Sequence, residues 1–193
     1  MSATSPAEPL TGRIDPAEVA KFEAMAAEWW DPNGKFKPLH MLNPCRLDYV
    51  IDQVSAEFGR DPTAPLPFAG LRVLDIGCGF GTLALTLARD HGVEVVGVTL
   101  SEVQLAEARA RAQTAGLDGQ VTFRLTDYRA VTDSFDRVVS VGMMEHVGLP
   151  HLRTYFQKVA DLLTADGVAL IHYIGRWSPP AAISPWFNKY IFP

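Results

Sequence analysis

Cysteine is scarce in this chain of 193 residues, and Cys45 and Cys78 are too few for a disulfide framework or a zinc cluster. No apolar run approaches the roughly 20 residues of a membrane-spanning helix. Lys and Arg number 17 against 22 Asp and Glu, and this net charge of −5 does not favour a nucleic-acid partner. The first eleven residues lack the pattern of a signal peptide. We therefore expect a cytoplasmic protein.

Composition changes along the chain predict three segments. Residues 1–13 are small, polar and proline-containing, which is typical of a disordered lead. Residues 14–67 form an N-terminal helical segment that ends in a proline-rich linker. Its predicted helices run from Asp15 to Trp29 and from Asn43-Pro44 to Phe58. Residues 68–193 form the core of what we expect to be a single domain.

Strand and helix signals alternate from Leu71 onward. This alternation predicts an α/β fold with a parallel sheet covered by helices on both faces. The predicted strands are Arg72–Ile76, Glu94–Thr99, Val121–Thr126, Arg137–Val141 and Val168–Tyr173. The predicted helices are Thr82–Asp90, Ser101–Ala115, with Ser101 as its N-cap, and His151–Leu163.

A glycine-rich turn follows the first predicted strand, with the spacing Asp75-x-Gly77-x-Gly79-x-Gly81. Glycine lets the backbone approach a ligand closely at a helix N-terminus. The spacing differs from the Gly-x-Gly-x-x-Gly of dinucleotide-binding proteins, which argues against a nicotinamide-dependent oxidoreductase. It resembles the nucleotide loop of class I S-adenosylmethionine (SAM)-dependent methyltransferases. This resemblance implies a Rossmann-like sheet of seven strands; five are visible here, so the chain looks truncated after the fifth.

Residues 14–79 resemble the O-methyltransferases of ubiquinone biosynthesis. The text that carries this resemblance is Ile14-Asp15-Pro16, Lys21-Phe22, Trp29-Trp30-Asp31-Pro32, Gly34, Phe36-Lys37-Pro38-Leu39-His40, Asn43-Pro44 and Arg46-Leu47.

Residues 71–193 resemble the cyclopropane-fatty-acyl-phospholipid synthases. The text that carries this second resemblance is Gly97-Val98-Thr99-Leu100-Ser101, Gln104, Asp127-Tyr128-Arg129, Phe135 to Met143, Glu145-His146-Val147-Gly148, Ile171 to Gly175 and Trp186 to Pro193. The change between the two resemblances falls at Asp75–Gly81, which predicts a chimeric junction there.

The predicted SAM site lies at the carboxyl ends of the strands, near the first crossover. The candidate cofactor-binding residues are Asp75, Gly77, Gly79, Thr99, Leu100, Gln104, Asp127, Tyr128 and Arg46. Thr99 and Gln104 would contact the ribose without an acid, as the resemblance to the synthases implies, and Asp127-Tyr128 would lie beside the adenine. The alternatives are a turn-capping Asp75, a solvated Gln104, a loop-capping Asp127 and a surface Arg46. The position of Arg46 contacts the cofactor in the quinone family.

The resemblance to the synthases also implies a bound bicarbonate that removes a proton during ring closure. The matching catalytic residues here are Glu145, His172 and the backbone of Ile174. A cysteine and a tyrosine of that family's site have no counterpart here. Taken alone, His172 at a strand end is more typical of a buried structural histidine than of a catalytic one, but together with Glu145 and Ile174-Gly175 it favours the site.

The competing chemistry is O-methylation of a catechol-like quinone precursor. In the quinone family, the resemblance implies the pattern Glu-x-x-Glu-His after the fourth strand. This pattern would suit a divalent metal. Gly142 stands here where the first acid would be, so we predict no metal site.

The main hypothesis is therefore a SAM-dependent cyclopropane fatty-acid synthase, with a phospholipid acyl chain as acceptor. The alternative is O-methylation of a polyprenyl catechol or quinol, and a second alternative is a SAM-binding fragment without turnover. Either acceptor would be met at the membrane surface, which places the enzyme peripheral to the inner membrane. We expect no nucleic-acid partner, and the sequence leaves the oligomeric state open.

Overall fold

A computed structural model describes residues 33–34 and 37–175. The predicted first helix, Asp15–Trp29, lies outside the described residues. The first described helix, α1, spans Lys37–Phe58. Its predicted start at Asn43-Pro44 is wrong because the helix begins six residues earlier and includes Pro44. Proline removes one backbone donor from a helix interior, but here the helix continues through it.

Among the described residues, five strands form one sheet, all paired in parallel, in the order β3-β2-β1-β4-β5. In chain order, β1 to β5 span Arg72–Ile76, Glu94–Thr99, Val121–Leu125, Phe135–Val141 and Leu163–His172. The first three strands match their predictions to within one residue. β4 and β5 begin earlier than predicted because Phe135 pairs with Leu163, with a register irregularity before Arg137.

The helices that connect the strands are α2 (Thr82–His91), α3 (Glu102–Thr114) and α4 (Leu152–Asp161). Short 3-10 turns at Tyr128–Ala130, Met144–His146 and Leu149–His151 complete the connections. The Ser101 hydroxyl accepts a hydrogen bond from the backbone N–H of Gln104, which confirms the predicted N-cap of α3.

The core is divided by the sheet into two apolar clusters. One cluster includes Val50 of α1 and the inward residues of α2 and α3, and the other is built around Tyr155 and Val159 of α4. β1 and β2 are almost entirely buried, as expected of parallel strands covered on both faces. The predicted α/β fold is thus confirmed.

The strand order reverses between β1 and β4, because the chain runs outward from β1 through β2 to β3 and then returns to β4. A reversal of this kind leaves a crevice beyond the carboxyl ends of the two central strands. The glycine loop follows β1 and the segment 142–148 follows β4. Both segments therefore border the same crevice.

Candidate functional site

The glycine loop is bound to the neighbouring strand through its backbone. The N–H groups of Gly77 and Cys78 both donate to the carbonyl of Val98, at 3.0 Å each. Gly77, Gly79 and Gly81 have φ angles of 74°, 54° and 76°, in the left-handed region. The sequence folds this way because only glycine enters that region without a steric penalty.

Gly79 and Gly81 serve different purposes. A Cβ atom on Gly81 would lie 2.4 Å from the Phe123 ring, so this glycine allows α2 to pack closely against β3. A Cβ atom on Gly79 would meet nothing within 4 Å. Gly79 therefore presents bare backbone to open space at the helix N-terminus, as a cradle for a ligand requires.

Asp75 lies on β1 and is only 2% exposed. Its Oδ2 atom has no hydrogen-bond partner within the described part of the chain. Burial raises the pKa of this carboxyl to about 7. Asp75 thus lies directly below the glycine loop as a deeply desolvated acid, and it does not cap the turn through Oδ2.

Thr99 and Gln104 are brought together at the carboxyl end of β2. The Thr99 hydroxyl donates to Gln104 Oε1 at 2.8 Å and accepts from the backbone N–H of Ser101 at 3.2 Å. Leu100, between them, is 40% exposed. This geometry fixes a neutral polar pair beside an apolar side chain, next to the glycine loop.

Asp127 and Tyr128 follow β3 but are engaged locally. The Asp127 carboxylate accepts from the backbone N–H of Arg129 at 2.8 Å and from its Nε at 2.9 Å. Burial opposes ionisation of Asp127, but the bonds from Arg129 outweigh it and hold the pKa of Asp127 below its usual range. Asp127 thus makes the loop-capping contact that the sequence left as an alternative.

The predicted catalytic residues are brought together on the other side of the crevice. The backbone N–H of Ile174 donates to Glu145 Oε1 at 2.6 Å, across 29 residues of sequence. His172 ends β5, and its electrostatic neighbours are Glu145 and Arg46. Arg46 projects from α1 and also interacts electrostatically with Glu145. Residues far apart in sequence therefore form one polar cluster.

The electrostatics of this cluster favour a neutral imidazole. Burial lowers the pKa of His172, the positive charge of Arg46 lowers it further, and Glu145 opposes both effects. The net pKa lies below the ordinary value of about 6.5. His172 can therefore accept a proton at neutral pH.

Several residues of this region were missed by the sequence analysis. Met143 packs against the glycine loop, since a Cβ atom on Gly77 would lie 2.9 Å from its Cγ atom. Ser140 and Tyr155 are completely buried polar residues beside the cluster. Only Tyr155 carried a signal, as a polar ring on the apolar face of a predicted helix.

Within residues 33–34 and 37–175, no three His, Cys, Asp or Glu side chains are grouped so that they could hold a metal ion. None of the described helices has the length and hydropathy to cross a bilayer.

The arrangement thus combines two chemical capacities at one edge of the sheet. The glycine loop with Thr99 and Gln104 offers backbone and neutral polar groups to a nucleotide-like ligand. His172 and Glu145 offer a proton acceptor and a carboxylate on the β4–β5 side.

Comparison with known proteins gives two kinds of match. The family profile described as "Mycolic acid cyclopropane synthetase" matches residues 68–193. Two curated relatives, from a Ruegeria species and from Roseobacter denitrificans, are 49% and 53% identical over 166 residues. Both are named "Ubiquinone biosynthesis O-methyltransferase". The match covers 84% of this chain and 65% of each relative, so the chain spans about two thirds of their length.

Solved structures are more distant. The cyclopropane synthase MmaA2 from Mycobacterium tuberculosis is 26% identical with a TM-score of 0.56, covering 74% of this chain and 50% of that protein. The mycolic acid cyclopropane synthase CmaA1, complexed with SAH and CTAB, is 29% identical with a TM-score of 0.51. That match covers 63% of this chain and 41% of the other.

The relatives overturn the main functional hypothesis. Cyclopropane synthases are similar to this chain at 26–29% identity, whereas the quinone O-methyltransferases reach 49–53% over most of it. The reading as a cyclopropane fatty-acid synthase is therefore wrong, and the alternative is better supported. A match that covers 84% of the chain also extends on both sides of Asp75–Gly81. Both predicted resemblances are confirmed, since the cyclopropane synthetase profile matches residues 68–193 and the quinone O-methyltransferases match most of the chain, and a chimeric junction stays a prediction.

Proposed function

The chain belongs to the mycolic acid cyclopropane synthetase family of class I SAM-dependent methyltransferases, and we propose that it O-methylates a polyprenyl catechol or quinol. The observation that carries this proposal is the 49–53% identity to proteins named ubiquinone biosynthesis O-methyltransferase, over 84% of the chain. The family identification made from the sequence is confirmed. This chain spans about two thirds of the relatives' length. The activity and the substrate of the whole protein are therefore proposals.

The residues of the glycine loop fit SAM as the cofactor. Gly79 leaves the space that a bound methionyl group would need, and the α2 N-terminus favours a carboxylate. Thr99 and Gln104 would hydrogen-bond the ribose hydroxyls, and Leu100 would cover the adenine. SAM would supply an electrophilic methyl group on its sulfonium.

The chain's own contribution to the reaction is proton removal and orientation. A phenolic O–H has a pKa near 10, so the oxygen is a poor nucleophile until it loses its proton. In our proposal the neutral imidazole of His172 takes this proton, and the phenolate oxygen would bond to the methyl carbon as the methyl–sulfur bond breaks and S-adenosylhomocysteine leaves. Glu145 stabilises the resulting imidazolium, and the Ile174 N–H holds the Glu145 carboxylate in place.

The acceptor would approach from the β4–β5 side of the crevice. Tyr173 and Ile174 are 51% and 52% exposed there and offer apolar surface to a prenyl tail. We therefore propose that the acceptor meets the enzyme at a membrane surface, with its ring directed toward His172. This membrane contact would be peripheral.

The test has a binding arm and a turnover arm. The purified chain is titrated calorimetrically with SAM, and methyl transfer from tritiated SAM to a short-tailed demethylated quinol is then measured. We expect micromolar binding and an O-methylated product. Binding without transfer to the quinol would contradict the proposed activity and favour the alternative of a cofactor-binding fragment. Absence of binding by a folded chain would overturn the whole assignment.

A further inference from the structure

Arg111 joins α3 to the glycine loop. Its Nη1 atom donates to the carbonyl of Phe80 at 2.7 Å and to the hydroxyl of Thr82 at 3.1 Å. Phe80 lies between Gly79 and Gly81, and Thr82 is the first residue of α2. One side chain from a different helix therefore holds the two residues on either side of Gly81.

The contact between α3 and the loop is close and largely shielded from solvent. A Cβ atom on Gly81 would lie 3.2 Å from the Cβ atom of Ala108, which is one turn before Arg111 on α3. Ala108 is fully buried, and Phe80 is only 6% exposed. Water would therefore not readily replace a hydrogen bond that is lost at this point.

The second half of the loop needs bonds from outside because glycine does not fix its own backbone. Gly79 and Gly81 have left-handed φ angles of 54° and 76°, and glycine can leave this region at little cost. The bonds to Val98 described above hold the first half of the loop, at Gly77 and Cys78. Arg111 supplies the corresponding hold on the second half.

The same helix also carries part of the neutral polar pair. Gln104 precedes Arg111 by seven residues, so the two side chains project from the same side of α3. Gln104 accepts from the Thr99 hydroxyl at 2.8 Å. α3 thus connects the residues proposed for the ribose with the loop proposed for the methionyl group.

We infer that Arg111 is a positioning residue that holds the Phe80 peptide, and with it the backbone from Gly79 to Gly81, in the conformation that binds SAM. The apparent affinity for a ligand falls with the fraction of chains that adopt the binding conformation. A cation in the last turn of α3 also suits the dipole of that helix, but its Nη1 atom is bonded to the loop. The inference rests on the cofactor part of the proposed function and does not depend on the methyl acceptor.

Arg109 offers a matched control on the same helix. Its Nε and Nη2 atoms donate to the carbonyl of Phe123 on β3, at 3.2 and 2.8 Å. Arg109 and Arg111 thus each bond a backbone carbonyl from α3. Only the carbonyl that Arg111 bonds belongs to the glycine loop.

The test compares Arg111→Met with Arg109→Met by thermal unfolding and by calorimetric titration with SAM. We expect each variant to lose about 2–4 °C in Tm, because each loses a charge-assisted hydrogen bond. Only Arg111→Met should weaken SAM binding, by about tenfold. Arg111→Lys should bind within about threefold of wild type, since Nη1 alone makes both bonds and an ammonium group can donate to two acceptors.

A second measurement reports the loop without any ligand. The N–H of Gly81 donates to the carbonyl of Cys78 at 2.9 Å, so its hydrogen exchange, followed by NMR, depends on the loop conformation. We expect exchange at Gly81 to be about tenfold faster in Arg111→Met than in wild type. In Arg109→Met it should keep the wild-type rate.

Wild-type SAM affinity in a folded Arg111→Met variant would overturn the inference, and so would an equal loss of affinity in Arg109→Met. If Arg111→Met does not fold, Arg111→Gln replaces it, because the shorter neutral amide cannot make both bonds. Wild-type affinity and wild-type exchange at Gly81 in that variant would count against the inference in the same way. Neither readout involves methyl transfer. Both shifts in a chain that does not methylate the quinol would therefore refute the proposed acceptor and support the role of Arg111.

Discussion

The two sides of the crevice are built on different principles. On the β1–β2 side, the groups proposed to face the cofactor come from residues 75–104, and most of them are backbone atoms or side chains bonded to near neighbours. On the β4–β5 side, Arg46, Glu145 and His172 meet across more than 120 residues of sequence.

The β1–β2 side of the site can therefore be predicted from a sequence motif. The β4–β5 side can be described only from the tertiary structure. Backbone geometry on the β1–β2 side follows from the spacing of Gly77, Gly79 and Gly81, which is local in sequence. In our proposal, side chains on the acceptor side decide which atom receives the methyl group. The following experiments should therefore affect binding or stability on one side and turnover on the other.

The largest effect is expected at His172. His172→Gln keeps a polar side chain but removes the proton acceptor, so kcat for quinol methylation should fall about 10²–10⁴-fold. Affinity for SAM should change little, because His172 lies on the acceptor side. Steady-state kinetics and calorimetry of the variant would check both values.

The control for this variant is His151→Gln, which alters an exposed histidine of the 3-10 turn before α4. It should retain wild-type turnover. In the wild type, the acidic limb of the kcat/KM profile should lie below about pH 6.5, since the pKa of His172 is lowered. A limb well above that value would exclude His172 as the base.

The next effect concerns the buried acid of the cofactor side. Burial raises the folded-state pKa of Asp75 to about 7, above roughly 3.9 in the unfolded chain. Between these two pH values, Asp75 keeps its proton in the folded state but has lost it in the unfolded chain. The free energy of unfolding therefore falls as pH rises through this window. Asp75→Asn should remove about 3 kcal/mol of this loss between pH 5 and pH 8. Urea unfolding at several pH values would measure the difference between variant and wild type.

The matched control is Asp118→Asn, which removes one carboxyl at an exposed position after α3 and leaves the buried site intact. Equal slopes for wild type and Asp75→Asn would contradict the desolvation of this carboxyl.

The glycine loop offers a paired test of packing against binding. Gly81→Ala should destabilise the chain by about 2–3 kcal/mol, because its Cβ would meet the Phe123 ring at 2.4 Å in a left-handed conformation. Gly79→Ala has the same backbone strain but no clash, so its cost should be about 1 kcal/mol. Thermal unfolding would measure both.

The order should reverse in cofactor affinity. Gly79→Ala should weaken SAM binding at least tenfold, since the new methyl group fills the proposed cradle. If SAM binds Gly79→Ala as tightly as wild type, the cradle lies elsewhere.

The smallest effect is expected at Thr99. Thr99→Val keeps the shape of the side chain and removes its bonds to Gln104 and Ser101. We expect SAM affinity to fall about 5–10-fold, the equivalent of one net hydrogen bond of about 1 kcal/mol. Thr114→Val, at the exposed end of α3, changes the same residue type away from the loop and should bind SAM normally. Identical affinities for the two variants would remove Thr99 from the cofactor site.

The same contrast explains what the sequence could and could not predict. The strands β1 and β2 and the N-cap at Ser101 follow from local pattern, and they were predicted to the residue. We predicted the start of α1 at Asn43-Pro44 because proline is favoured in the first turn of a helix. The structure instead has Pro44 inside the helix.

The functional error arose on the acceptor side. Thr99-Leu100-Ser101 with Gln104, and Gly142 in place of an acid, resemble the cyclopropane synthases, but they describe the cofactor edge and one missing side chain. Glu145 and His172 suit either chemistry, because a carboxylate and a neutral imidazole accept protons from many donors. Identity over 84% of the chain distinguishes the two where these few motifs could not.

The most direct test of O-methylation is a competition for the methyl group. The chain is incubated with isotopically labelled SAM, a short-tailed demethylated quinol and an unsaturated phospholipid in one reaction, and both acceptors are analysed by mass spectrometry. We expect a labelled methoxy group on the quinol and no label in the phospholipid. Label in a cyclopropane ring of the acyl chain, or no label in the quinol although SAM is bound, would contradict O-methylation.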